Sequence, residues 1–186
     1  MNSPFECLLS KEIKRAFILK DDIINRVANS KLVTLDLEDY YPKGHRVLFD
    51  IKDWLYEGFV LREKDFRAQV SAFDWSQYQD QYVALNCSSD AIVPGWAYML
   101  LSIQLEPYAK KVIVGSLDNL ETSIYQDIIN NLDVSDFKDK PIIIKGCANK
   151  PVPQNAYIML TSKLKPIAKT IMYGEACSSV PLFKKK

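Results

Sequence analysis

The sequence predicts an α/β protein whose mainly parallel sheet is built from a tandem duplication of a strand-helix-strand unit. Three observations predict this class: an internal repeat, short apolar runs that alternate with helical patterns, and a composition typical of globular proteins. The chain has 186 residues, 48% of them hydrophobic, which suits one compact domain. We expect that domain to combine a small N-terminal α+β portion, residues 21–73, with the duplicated residues 74–186, and we expect residues 1–20 to be an N-terminal extension.

The repeat becomes visible when residues 74–115 are aligned with residues 133–174. The two copies, about 74–116 and 133–175, share far more identical residues than composition alone would give. The identical pairs are Asp74 with Asp133, Ser76 with Ser135, Asp80 with Asp139, Pro94 with Pro153, Ala97 with Ala156, Tyr98 with Tyr157, Leu101 with Leu160, Leu105 with Leu164, Pro107 with Pro166, Ala109 with Ala168, Lys110 with Lys169 and Gly115 with Gly174. A slip of one residue inside the repeat also aligns Cys87 with Cys147.

The N-terminal portion is predicted to contain helices over residues 22–30 and 62–72, where apolar residues recur at helical spacing. Strands are predicted over residues 32–37 and 47–51. The loop between these strands, residues 38–46, contains a proline and a glycine. We therefore expect the two strands to form a hairpin-like pair.

Each copy is predicted to contain a buried strand, a helix ended by a proline, and a second strand. The predicted elements are strand 82–85, a helix from Pro94 to Pro107 and strand 112–114 in copy one, and strand 142–144, helix 153–164 and strand 171–173 in copy two. A connecting helix follows copy one, and Asp118 with Glu121 matches the pattern of a capping box at its start. This order of elements is typical of a parallel sheet, whose carboxyl-terminal edge is where α/β proteins build their sites.

Three cysteines follow predicted strands of the duplicated half. Cys87 follows the first strand of copy one, Cys147 follows the first strand of copy two, and Cys177 lies just beyond the last strand. The residue of copy one that corresponds to Cys177 is Asp118. Because parallel strands end at a common edge, we expect Cys87 with Asp118, and Cys147 with Cys177, to converge. Three thiolates and one carboxylate suit a tetrahedral zinc ion, and thiolates equally suit an iron–sulfur cluster.

Two other interpretations of these cysteines stay open. Free cysteines at strand ends are often small buried core residues, and Asp118 would then only cap its helix. A nucleophilic cysteine, by contrast, needs a base or positive surroundings. The sole histidine, His45, lies in a predicted surface turn, but helix N-termini just after Cys87 and Cys147 would favour thiolates. Whether the protein is an enzyme is therefore left open.

An acidic group in the N-terminal portion is a further candidate for binding a cation. It lacks the regular spacing and the glycine of a calcium loop, so we interpret it as a solvated face. Its members are Asp36, Glu38, Asp39, Asp50 and Asp53.

Charge and hydropathy exclude several classes of protein. A net charge of +1, from 24 basic and 23 acidic residues, provides no field to attract nucleic acid or an anionic membrane. No apolar run reaches the roughly 18 residues that a membrane span requires. Residues 1–20 have no signal-peptide pattern, and the four widely spaced cysteines favour a reducing, cytoplasmic setting. No pattern predicts an oligomeric state.

Several segments resemble the bacterial domain-of-unknown-function family 2480 over nearly the whole chain, from Asp22 to Lys186, including the three cysteine contexts. The segments are Leu35-Asp36-Leu37-Glu38-Asp39-Tyr40-Tyr41-Pro42, Asp50-Ile51-Lys52-Asp53-Trp54-Leu55, Asp74-Trp75-Ser76-Gln77-Tyr78 and Ile171-Met172-Tyr173-Gly174-Glu175. The resemblance implies no reaction, because the family is uncharacterised. The resemblance does imply that the gene for this protein lies near genes for iron–sulfur assembly. It therefore also implies that iron–sulfur assembly proteins are partners of this protein.

Together these patterns predict a cytoplasmic accessory protein with a cysteine-rich zinc or iron–sulfur site. The predicted ligands are Cys87, Cys147, Cys177 and Asp118. A thiol enzyme that uses one strand-end cysteine, and an interaction module with buried structural cysteines, are the alternatives.

Overall fold

The computed structural model describes residues 32–146, 149–175 and 178–186. The helix that we predicted over residues 22–30 therefore lies outside the described residues, as do Cys147 and Cys177. The strands are β1 (Val33–Leu35), β2 (Arg46–Asp50), β3 (Tyr82–Asn86), β4 (Lys111–Val114), β5 (Pro141–Ile144), β6 (Thr170–Glu175) and β7 (Ser178–Lys184). The α-helices are α1 (Glu63–Ala72), α2 (Gly95–Leu105), α3 (Leu117–Asn131) and α4 (Gln154–Leu164).

The strands form two separate sheets, each built around the first strand of one repeat copy. The order is β2-β3-β4 in one sheet, called here the β3 sheet, and β1-β5-β6-β7 in the other, called the β5 sheet. All pairs are parallel except β6 with β7. The predicted α/β class is confirmed, but the expected single sheet is wrong. Each copy has its own apolar central strand, and each such strand is already flanked on both sides within its own sheet.

The expected hairpin between the first two strands is also wrong. Strand β1 pairs with β5, with Leu35 opposite Ile144, and β2 pairs with β3, with Phe49 opposite Leu85. A short 3₁₀ turn follows each strand, and an aspartate caps the start of each turn. These turns lead the chain away from the end of the strand, so β1 and β2 serve as equivalent first strands of different sheets.

Both central strands are buried on both faces. Val83, Ala84 and Leu85 of β3 are at most 1% exposed, and the three isoleucines of β5 are equally buried. Helix α2 packs on one face of the β3 sheet through Ala97, and α4 packs on the β5 sheet through the corresponding Ala156. The repeated sequence therefore produces a repeated unit of strand, helix and strand.

Helix α3 connects the copies and contributes to the core of both sheets. Leu120 and Ile124 pack against Ala84 of β3, whereas Tyr125 and Ile129 belong to the core of the β5 sheet. The Tyr125 hydroxyl donates a hydrogen bond of 3.0 Å to the carbonyl oxygen of Leu37. Because the broad apolar face of α3 packs against both cores, with Ile128 contacting each, one helix joins the two sheets.

A buried ion pair lies where α3 meets the start of the β3 sheet. The Arg46 guanidinium donates from Nε to Glu121 Oε1 at 2.6 Å and from Nη2 to Glu121 Oε2 at 3.4 Å. Its Nη1 donates to the carbonyl oxygens of Pro42 and Gly44 at 2.9 and 2.6 Å. The Tyr41 hydroxyl donates to the same carboxylate at 3.3 Å. Both charges are thus bonded several times, as buried charges require.

Strand β7 had no counterpart among the predicted elements. It runs antiparallel to β6, and Pro181 lies opposite Met172 at an irregular point of the pairing. Proline is tolerated there because β7 is an edge strand, one side of which needs no hydrogen bonds. Among the described helices, none is long and apolar enough to cross a membrane.

Candidate functional site

The carboxyl-terminal edge of the β3 sheet holds the described cysteine and an aspartate that anchors the loop around it. Asp50, the last residue of β2, accepts hydrogen bonds from the backbone N–H groups of Lys52 and Ser88, each at 3.0 Å. Burial raises the pKa of Asp50, but bonds from the Ser88 side chain and from these N–H groups outweigh burial and hold that pKa below its ordinary value. Asp50 therefore ties the end of β2 to the residue that follows Cys87.

Cys87 is a free thiol at the end of β3. It is half-buried and packs against the core of the β3 sheet. Its Sγ lies 3.3 Å from the Ser89 hydroxyl. Burial, and then the proximity of Cys87, raise the pKa of the Tyr98 phenol on α2. The thiol therefore lies between a hydroxyl-rich loop and the first turns of α2.

Asp118 lies in the first turn of α3 and is exposed to solvent. The capping box predicted for Asp118 and Glu121 is wrong. Ser116 caps the helix instead: its hydroxyl accepts from the Asn119 N–H at 3.2 Å, and the Asn119 side chain accepts from the Ser116 N–H at 2.9 Å. Gly115, at φ 138°, makes the turn before this cap, a conformation that favours glycine. Glu121 is therefore free to bind Arg46.

The β5 sheet repeats the aspartate anchor with a different partner. Asp36, just after β1, accepts from the Glu38 N–H at 2.9 Å and forms an ion pair of 2.8 Å with Lys145 Nζ, just after β5. Burial raises the pKa of Asp36, but the Lys145 bond, the Glu38 N–H and nearby positive charges outweigh it and lower that pKa. The same contact raises the pKa of Lys145. Asp36 and Asp50 thus hold the corresponding loops of the two sheets.

Further contacts fix the loop after β5 on both sides of residues 147–148. Glu38 Oε1 accepts hydrogen bonds from the backbone N–H groups of Asn149 and Lys150. Lys150 Nζ donates a hydrogen bond of 3.0 Å to the Glu38 carbonyl oxygen. On the other side, the Tyr173 hydroxyl donates to the Gly146 carbonyl oxygen at 3.2 Å. Cys147 itself lies outside the described residues. Its neighbours in the chain are nevertheless bonded to β6 and to the turn after β1.

The strands that precede the predicted ligands in the sequence form two parallel pairs, one pair in each sheet. Strands β3 and β4, which precede Cys87 and Asp118, are neighbours and parallel, as are β5 and β6, which precede Cys147 and Cys177. Within residues 32–146, 149–175 and 178–186, no three histidine, cysteine, aspartate or glutamate side chains lie close enough to hold a metal ion. Cys147 and Cys177 are outside those ranges, so the set of four ligands stays a prediction.

The anchoring role of Asp36 and Asp50 was missed by the sequence interpretation, which assigned both to a solvated acidic face. The signal was present in the chain. Residues 35–40, Leu-Asp-Leu-Glu-Asp-Tyr, and residues 49–54, Phe-Asp-Ile-Lys-Asp-Trp, both follow the order apolar, Asp, apolar, charged, Asp, aromatic. This shorter repeat indicates that each copy has one more strand, and that an aspartate ends it.

Comparison with known proteins identifies a family but no activity. No curated protein and no solved structure matches the chain. The family described as "protein of unknown function (DUF2480)" matches residues 21–185, which include both sheets and all the predicted ligands. The chain therefore belongs to the DUF2480 family.

Proposed function

We propose that this protein is a cytoplasmic accessory protein that binds zinc or an iron–sulfur cluster through cysteines at the ends of its parallel strands. The observation that carries the proposal is the pairing of β5 with β6, in which Ile144 lies opposite Tyr173. Each of these strands is followed, within a few residues, by a cysteine in the sequence, Cys147 and Cys177. Parallel neighbours end at one edge, which favours two thiolates at a common site.

The residues on either side of Cys147 in the chain are held in place. Lys145, two residues before Cys147, is held by Asp36. The loop is also bonded to Glu38 on its other side. Ligands on a fixed loop lose less conformational freedom when a metal binds than ligands on a free one.

Cys87 and Asp118 complete the proposed set from the β3 sheet. They follow neighbouring strands, β3 and β4, in the same way. Two thiolates from one sheet, with a thiolate and a carboxylate from the other, match the type and number of ligands that a tetrahedral zinc site requires. Iron–sulfur assembly proteins are the proposed partners, and binding or transfer of the metal or cluster is the proposed role.

Metal analysis of the full chain, purified without a histidine tag and under anaerobic conditions, tests this function. We expect about one zinc ion per chain, or the visible absorption of a cluster after supply of iron and sulfide. Cys147→Ser and Cys177→Ser should each abolish binding, whereas Cys7→Ser, outside the proposed set, should not alter it. Protein that retains neither zinc nor a cluster after supply of both would refute the proposal.

A thiol enzyme is the second candidate, because Cys87 lies beside Tyr98 in the first turns of α2, and the N-terminus of a helix favours a thiolate. Timed alkylation read by mass spectrometry separates the two functions. Bound thiolates should resist the reagent until a chelator removes the metal, and should then react together. One rapidly reacting cysteine in native, metal-free protein, indifferent to chelator, would favour the enzyme.

A further inference from the structure

In the part of the chain that the structure describes, the outer edge of β4 is open, while the corresponding edge of the β5 sheet is covered. Within the described residues, β4 pairs only with β3. Its counterpart in copy two, β6, pairs with β5 on one side and with the antiparallel strand β7 on the other. The duplication therefore presents the same edge twice, once with a strand in place and once without. An unpaired strand edge is a template for pairing with another chain.

An apolar groove runs along this open edge. It has a volume of about 410 Å³ and lies between α2 and β4. Three of its apolar side chains are exposed: Met99 by 68%, Ile103 by 66% and Val114 by 58%. A contiguous exposed apolar surface on both a strand and its neighbouring helix is typical of a protein interface.

The two copies differ at one exposed position of the helix that borders this edge. Ile103 of α2 corresponds to Ser162 of α4, which is exposed and polar. In copy two, where the edge is covered by the single strand β7, the helix needs no apolar partner at that position. In copy one, both the strand and the helix are apolar at the edge. The occupant of copy one must therefore cover two layers, a strand and a helix.

We propose that the occupant is a second copy of this chain, related by a twofold axis at β4. Antiparallel pairing of β4 with its equivalent would join the two β3 sheets into one continuous sheet. The same axis would place α2 beside the partner's α2, so that Met99 and Ile103 of each chain cover those of the other. A twofold interface is self-complementary, and the second copy supplies both a strand and an apolar helix face. A single peptide strand would pair with β4 but would not cover the apolar side chains of α2.

Sedimentation of the full chain over a range of concentrations tests this interface. Wild-type protein should form a dimer at micromolar concentration. Ile103→Ser, which copies the residue found in copy two, should raise the dissociation constant about tenfold or more, because each dimer loses two buried isoleucine side chains. Val114→Lys, which places a charge beside the strand edge, should have the same effect. Ile158→Ser is the matched control, since Ile158 is 67% exposed on α4 and corresponds to Met99.

The outcomes are distinct. A dimer that is weakened by Ile103→Ser and Val114→Lys but not by Ile158→Ser supports the proposal. Wild-type protein that remains monomeric at about 0.1 mM overturns it, because interfaces of this kind bind more tightly than that. A dimer that both variants leave intact also overturns it, since the interface then lies elsewhere. Circular dichroism of each variant confirms that the exposed substitutions leave the fold unchanged, and metal content is measured separately.

Discussion

Replacement of Glu121 by alanine should destabilise the protein strongly, although Glu121 is a charged residue on a helix. The side chains of Arg46 and Glu121 are only 11% and 9% exposed. Alanine at position 121 would leave the buried guanidinium without its counterion, and also remove the acceptor of the Tyr41 hydroxyl. Breaking a buried ion pair by removing one partner costs about 3–5 kcal/mol.

The expected loss lies at the lower end of that range, about 3 kcal/mol, because Arg46 would keep its bonds to the carbonyl oxygens of Pro42 and Gly44. In a chain of this size, such a loss corresponds to a fall in Tm of about 6–12 °C. Urea unfolding followed by circular dichroism measures the change in the free energy of unfolding directly. An unchanged m value would show that the native and unfolded states still differ by the same surface area.

The ion pair of Glu63 with Arg67 on α1 provides a matched control. Its side chains are 63% and 54% exposed and lie one helical turn apart. Glu63→Ala should therefore cost about 0.5 kcal/mol or less. If Glu121→Ala costs no more than Glu63→Ala, the buried pair contributes nothing that an exposed pair does not, and our reasoning is wrong. The double variant Arg46→Met with Glu121→Leu should recover most of the lost stability, because neither charge remains buried alone.

Three further predictions concern the strand ends and the core. The pKa of Asp50 is lowered in the folded protein, so the ionised Asp50 side chain stabilises the fold above the unfolded pKa of about 3.9, and this stability is lost as pH falls through the folded pKa. Asp50→Asn should therefore reduce the loss of stability that urea titrations measure below about pH 4. Gly174→Ala should lower Tm, because Gly174 has φ 119° and an added Cβ would lie 2.7 Å from the Ser178 carbonyl oxygen. Gly58→Ala is the control for backbone strain alone, since Gly58 has φ 76° but no atom within 4 Å of an added Cβ, and its fall in Tm should be smaller. Tyr125→Phe should cost about 1 kcal/mol in urea unfolding, because the buried Leu37 carbonyl oxygen loses its hydrogen bond; an unchanged midpoint would contradict this.

The sequence predicted the elements of the duplicated half because their signals are local. The apolar run of β5 and the helical spacing of α4 depend only on nearby residues, and the structure has both elements. Local patterns do not say which strands pair. The division into two sheets depends on long-range contacts, such as that of Leu35 with Ile144. The hydrophobic periodicity of either strand contains no information about such contacts.

The sequence also showed, for the same reason, that two of the proposed ligands follow strands. The positions of Cys87 and Asp118 after β3 and β4 follow from strand order, which the repeat made visible. The partners of Asp36 and Asp50 come from distant loops, so their role required the fold. Glu121 is similar: the sequence interpretation assigned it to a capping box, and only the tertiary structure brings Arg46 to it.

The pairing of β1 with β5 also determines when each sheet can form during synthesis. Val33 lies opposite Ile142, so β1 leaves the ribosome long before its partner β5, which is translated more than half a chain later. The β3 sheet, by contrast, uses only residues between Arg46 and Val114 and can form while β5 is still unmade. In the sequence, all three strands of the β3 sheet therefore lie between β1 and β5 of the other sheet. Closing the long loop around the β3 sheet is entropically costly, so the β5 sheet should be the later and slower part of folding, with β1 exposed until β5 arrives.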